Sequence, residues 1–175
     1  MARHPIDGEE LQRGTIYVAP PDSHMVTVGE NVRLQRGPLI HNHRPAVDPL
    51  FYSAARWAGR RTIALVLSGG LDDGTAGMLA VRRSGGLLAV QAAHDAAHPS
   101  MPASVLASVK VDHVGTASEL STWTASQVAQ VVTSESAHHS LGNLATAPAP
   151  MDAVKDPPEQ GVGTDLSEII PYVPG

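Results

Sequence analysis

Two adjacent carboxylates, Asp72 and Asp73, lie in the stretch LVLSGGLDDGTAGM, residues 65–78, directly behind an apolar run of strand length. Four glycines, Gly69, Gly70, Gly74 and Gly77, surround them. Without a Cβ, glycine admits backbone conformations closed to other residues and lets a loop come close to a ligand or to another side chain. Two kinds of work are open to acids so placed. One is capping: an Asp at a helix N-terminus satisfies free amides and suits the helix dipole, and a helix is predicted to start near Gly74. The other is chemistry, since ligands and catalytic groups of open parallel sheets collect at the carboxyl ends of strands. A phosphate loop is excluded, because G-x-x-x-x-G-K-[ST] needs a lysine and GGLDDGTAG has none.

Three other patterns suggest chemistry and lack its context. HNHR, residues 41–44, spells the HNH of a nuclease, but neither longer-range metal ligands nor a basic surface accompany it. HDAAH sets His94 and His98 four apart, the separation of a helical zinc pair, yet Asp95 stands where the general-base Glu belongs and Pro99 follows at once. Ser23 adjoins His24, but neighbours on a strand point to opposite faces and do not readily share a hydrogen bond. Ordinary turn and strand are expected there. No metal and no cofactor are expected.

The elements that must position the carboxylates follow from periodicity. Residues 15–18, 25–28 and 32–34 alternate apolar and polar side chains between turns, which predicts three short antiparallel strands. Val47, Leu50, Phe51, Ala54 and Ala55 recur at helical spacing, with Gly59 as the stop. Residues 63–67 read as a strand buried on both faces, 74–84 as a helix ending at Gly85-Gly86, and 87–91 as another strand. A short helix over 101–107, opened by Pro102, and a strand over 111–114 complete two crossover units. The fold class is therefore α/β, a doubly wound, mostly parallel sheet with an antiparallel hairpin. One more helix is expected over 121–132. Residues 1–134 would form the folded domain, and residues 135–175, rich in Pro, Gly, Ala and acids, a disordered tail.

Composition narrows the function classes. The 175 residues are 42% hydrophobic but only 3% aromatic, so one core of Val, Leu, Ile and Ala is expected. A net charge of -5 without any dense basic run argues against nucleic acid as a partner. The lack of cysteine excludes disulfides and thiolate metal sites and fits a cytoplasmic location. No signal peptide is expected, and no apolar run approaches the ~18 residues of a membrane span, so membrane insertion is not expected.

Four blocks, in order, resemble one family, the catalytic domain of the chemotaxis protein-glutamate methylesterases, the CheB-type response-regulator esterases. GTIYVAPPDSHM is similar to the family's G-x-x-Y-x-A-P-x-x-x-H, and HRPAVDPLFYSAA to its H/N-R-P-S-V-D-x-L-F-x-S-A-A. LVLSGGLDDGTAGMLAVRRSGG resembles L-T-G-M-G-x-D-G-A-x-G-x-x-x-x-x-x-G-G, and QAAHDAAHPSMPASVL follows Q-D-x-x-x-A-x-x-x-x-M-P-x-x-A. The blocks run from about Gly8 to Val132. The resemblance implies a serine hydrolase that uses Ser, His and Asp, cleaves glutamate methyl esters on chemoreceptors and deamidates particular glutamines there. The triad aspartate falls on Asp73, with Asp72 its variable neighbour. Its implied role is to accept a hydrogen bond from the imidazole, fix the tautomer and stabilise the imidazolium. Gly70 falls on a methionine whose backbone amide helps hold the oxyanion, so the amide is kept and the side chain lost.

SGGLDDG departs from TGMGxDG at Ser68, Gly70 and Leu71. A larger departure is that the family's nucleophile motif G-A-S-x-G-G and base motif Q-H-M, which precede the first matching block, are not found in this sequence. Removing either the nucleophile or the base alone forfeits nearly the whole triad contribution. The chain is therefore expected to be inactive by itself and to be an N-terminally truncated form whose sheet lacks its leading strands. The alternatives are a decayed copy and a non-catalytic module that binds the receptor.

Overall fold

The structure, a computed structural model, describes residues 1–141. The expected tail beyond that point, including the closing apolar LSEIIPYVP, lies outside the described residues. Two minimal strands, β1 (Ala2–Arg3) and β2 (Ile16–Tyr17), precede a hairpin of β3 (His24–Val28) and β4 (Asn31–Gln35). There follow α1 (Val47–Ala58), a 3-10 turn (Gly59–Arg61), β5 (Ile63–Val66), α2 (Thr75–Arg83) and β6 (Leu87–Gln91). The order ends with α3 (Ser100–Ser108), β7 (His113–Gly115) and α4 (Ala117–Leu141).

The parallel sheet has the order β5-β6-β7, in register Ile63 with Leu87 and Ala89 with His113. Alternate residues of β5, Ala64 and Val66, are buried, and Leu88, Ala89 and Val90 of β6 are buried in succession, as expected of a strand covered on both faces. Met78 and Val81 of α2, Val105 of α3 and Ala55 of α1 complete one core with Val109. Small side chains let the helices sit close to the sheet. Thr62 bridges the end of α1 to the sheet, its hydroxyl donating to Ala54 O at 3.1 Å. Gly59 ends α1 as the sequence predicts, its amide donating to Ala55 O.

Two elements differ from the pattern-based reading. Only β3 and β4 form the antiparallel pair; β2 joins the N-terminal β1 in parallel. A two-residue strand is too short to carry a period, so its partner could not be read locally. Helix α4 starts four residues before the expected position because Thr116 and Glu119 form a capping box: the Thr116 amide donates to Glu119 Oε2 at 2.7 Å and the Glu119 amide to Thr116 Oγ1 at 3.3 Å. That helix also runs to Leu141, nine residues past its expected end at residue 132. No helix among the described residues is long and apolar enough to cross a membrane.

Candidate active site

The loop joining β5 to α2, residues 67–74, leaves the sheet at the carboxyl end of β5, and Asp73 lies near its close with only 8% of its surface exposed. Its carboxylate does not cap α2, the helix it precedes. Residue Gly74 takes the N-cap position there, in the left-handed region with φ 88° and no side-chain cap. Asp73 instead caps α1. Oδ2 accepts the Val47 amide at 2.7 Å and Oδ1 the Asp48 amide at 3.1 Å, while Ala46, the local N-cap, supplies no side-chain bond. The first amides of a helix need acceptors and carry the positive end of its dipole, so an anion is favoured there.

Asp48 returns the favour to α2. Its Oδ1 accepts the Gly77 amide at 2.7 Å, so each helix start is held by a carboxylate from the other. The exchange needs close approach, and Gly77 permits it: a Cβ there would lie 2.6 Å from Phe51 Cβ and 3.0 Å from Asp48 Oδ1. Burial pushes the Asp48 carboxyl above its usual range and the Asp73 charge adds to the effect, against the Gly77 and Gly74 amides and His41, which lower it. His41 faces two of the acids, with Nε2 3.8 Å from Asp48 Oδ2 and Nδ1 3.3 Å from the exposed Asp72. Asp48 and His41 had no separate role in the sequence reading. The signals were an acid in the first turn of a predicted helix and the histidine of HNHR.

The other end of the loop is built from backbone. Ser68 donates its amide to Gln91 Oε1 at 2.7 Å and accepts the His98 amide at its hydroxyl, and Gly69 exchanges bonds with His98 O and the Met101 amide. Gly70 is exposed, and among the described residues its amide donates to no acceptor. No atom lies within 4 Å of where its Cβ would be, and Leu71, which follows, takes the left-handed φ of 61°. The amide expected to face an oxyanion therefore donates to no acceptor among the described residues and stands beside open space. Met101 covers the neighbouring Gly69, its Sδ 2.5 Å from an ideal Cβ there.

The remaining candidates are placed elsewhere. His24 is fully buried, its Nε2 donating to Pro38 O at 3.0 Å and its Nδ1 accepting the Ala46 amide at 3.2 Å, so both nitrogens are committed to backbone. His94 and His98 lie in turns, so their spacing of four is not a helical one. Among the described residues no group of three or more His, Cys, Asp or Glu is arranged to hold a metal ion. No imidazole or hydroxyl bonds to Asp73 among the described residues; its partners are the two amides.

Comparison with known proteins bears on the family and the fold. The family model for CheB methylesterase matches residues 2–123. A protein-glutamate methylesterase/protein-glutamine glutaminase of Escherichia coli is 45% identical over 83 residues, covering 45% of this chain and 24% of the relative. Another, from Rhizobium johnstonii, is 35% identical over 113 residues, covering 62% of this chain and 31% of the relative. The crystal structure of the Thermotoga maritima CheB methylesterase catalytic domain superposes with a TM-score of 0.64 at 33% identity, covering 67% of this chain and 65% of that one. The chain thus spans from about a quarter to just under a third of the length of these curated relatives and about two thirds of the solved domain. With a family match over most of its length and the same mostly parallel α/β fold, the chain belongs to the CheB methylesterase family.

Proposed function

We propose that this chain supplies the aspartate side of a cytoplasmic protein-glutamate methylesterase, acting in chemotaxis on glutamate methyl esters, and on particular glutamines, of chemoreceptors. Asp73 is the triad acid. The observation that carries this reading is its setting at the end of β5, buried and held by two amides of α1 in the position of the family motif. A carboxylate offers about four lone-pair positions, so two amide bonds leave room for an imidazole N–H. The amides fix the plane of the carboxylate, and a fixed acceptor selects one imidazole tautomer and stabilises the imidazolium formed when a serine is deprotonated. The free amide of Gly70 would donate to the oxygen that becomes anionic in the tetrahedral intermediate.

The nucleophile and the base have no counterpart bonded to Asp73 among the described residues, and both nitrogens of His41 are turned to carboxylates other than Asp73, which leaves neither for a serine hydroxyl. The reaction therefore needs a serine and a histidine from polypeptide beyond these residues, and the 175-residue chain alone is expected to release no methanol from methylated receptor. Joined to an upstream segment carrying a glycine-flanked Ser and a Q-H-M, it is expected to become active, and Asp73→Ala in that form should lower kcat roughly 10³–10⁴-fold. Activity of the chain alone, or an extended Asp73→Ala enzyme as fast as its parent, would overturn the reading. Receptor binding without methanol release in the extended form would favour a non-catalytic module.

A further inference from the structure

We propose that His41 is a positioning residue for the acid end of the loop: its imidazole ties Asp72 to Asp48 and so holds Asp73 on the start of α1. The inference rests on the reading of Asp73 as the triad acid, and it begins with the backbone. His41 and Asn42 occupy the left-handed region in succession, with φ 50° and 63°. The turn is closed by the amides and carbonyls of Ile40 and His43, bonded to each other at 3.1 and 2.9 Å. Left-handed backbone is uncommon for a residue with a Cβ, and neither position is glycine, although Asn and His tolerate it better than most. The conformation brings the ring to the two helix starts, with Nδ1 3.3 Å from Asp72 Oδ1 and Nε2 3.8 Å from Asp48 Oδ2.

Three carboxylates meet there, since Asp73 bonds the Asp48 amide and raises the Asp48 carboxyl by its charge. Tyr52 lies one turn along α1, where burial raises its phenol and the Asp48 charge adds to the effect. The imidazole of His41 stands between Asp48 and Asp72, a ring nitrogen turned to each. It also spans two anchors of different kinds: Asp48 is fixed in α1 and buried, whereas Asp72 is exposed in the loop directly before Asp73. Pulling Asp72 toward Asp48 holds the loop against α1 from outside, while the two amides hold Asp73 from within. With both ring nitrogens turned to carboxylates, the histidine aligns the acid and carries no proton of the ester cleavage.

The test is amide hydrogen exchange on the full 175-residue chain, read at Val47 and Asp48, the donors to Asp73, with β3 and β4 amides as internal reference. His41→Asn keeps a residue that accepts the left-handed turn, and Asp72→Asn alters only an exposed side chain. Each is expected to lower protection at Val47 and Asp48 roughly two- to fivefold, the range of part-exposed ion pairs, with the hairpin unchanged. The double variant should lose no more than His41→Asn alone, because both remove one bridge. Unchanged protection in both single variants, or losses that simply add, would overturn the proposal. None of these readouts needs esterase activity, so the inference can fail while the Asp73→Ala result stands, and the reverse.

Discussion

The two ends of one eight-residue loop are held in opposite ways. At its acid end Asp73 is buried, bonded to two amides and matched by a reciprocal bond from Asp48, so its position is over-determined by two helices. At its amide end Gly70 is exposed, bonded to nothing among the described residues and surrounded by open space. A hydrogen-bond acceptor that must orient a partner gains from being fixed before the partner arrives, whereas a donor awaiting an oxyanion must stay unpaired until it forms. The difference is the one that the two proposed roles require. The amide end nevertheless rests on a fixed base, because Gln91, His98 and Met101 secure Ser68 and Gly69.

Substitutions at the acid end should cost stability and those at Gly70 should not. The largest expected effect is Asp73→Ala in the 175-residue chain, which leaves the Val47 and Asp48 amides without acceptors and should lower the urea-unfolding free energy by about 2–4 kcal/mol. An Asp73→Ala chain as stable as the wild type would show that the caps carry no weight. Next comes Gly77→Ala, where the new methyl meets Phe51 Cβ at 2.6 Å and cannot be relieved by a side-chain tip. Overpacking of about 1–3 kcal/mol, less the helix preference of Ala over Gly of about 1 kcal/mol, leaves a net loss measurable in the same titration.

Asp48→Asn should change the pH dependence more than the midpoint at neutral pH. Because burial raises the Asp48 carboxyl, the folded chain keeps that proton after the unfolded chain has released it, so this group makes stability fall as pH rises through the window just above the usual carboxylate range. Asparagine can still accept the Gly77 amide but does not titrate, and melts taken across that window should lose that component. Glu9, Asp22, Asp95 and Glu119 act in the opposite sense, since hydrogen bonds lower their carboxyls and their contribution is lost as pH falls below the usual range. The smallest effects are expected at the loop glycines, Gly70→Ala within about 0.5 kcal/mol and Gly69→Ala somewhat more, because its methyl must move the flexible tip of Met101 and presses on its Cβ. Equal losses at both glycines would show that the amide end is not divided between a packed and an open residue.

Much of this was legible without coordinates. The 3.6-residue period over 47–58, the apolar runs of β5 and β6 and the glycines that stop α1 and α2 all report local physics, and those elements stand within a residue or two of where the pattern puts them. The start of α4 was also legible, in Thr116 and Glu119, although the pattern reading began that helix at residue 121. The parallel pairing of β1 with β2 was not, because two residues show no period.

By itself the sequence determined that a carboxylate stands at the end of a buried strand, inside glycines, in a family motif. Only the tertiary structure decided whose amides that carboxylate would bind. Asp73 looks like the cap of the helix beside it, yet it caps one whose first residue lies 26 positions earlier, and Asp48 reaches back across 29 positions to return the bond. Periods and caps are set by neighbours along the chain, whereas an acceptor is chosen by which unpaired amides close packing brings within about 3 Å, and no local pattern encodes that distance.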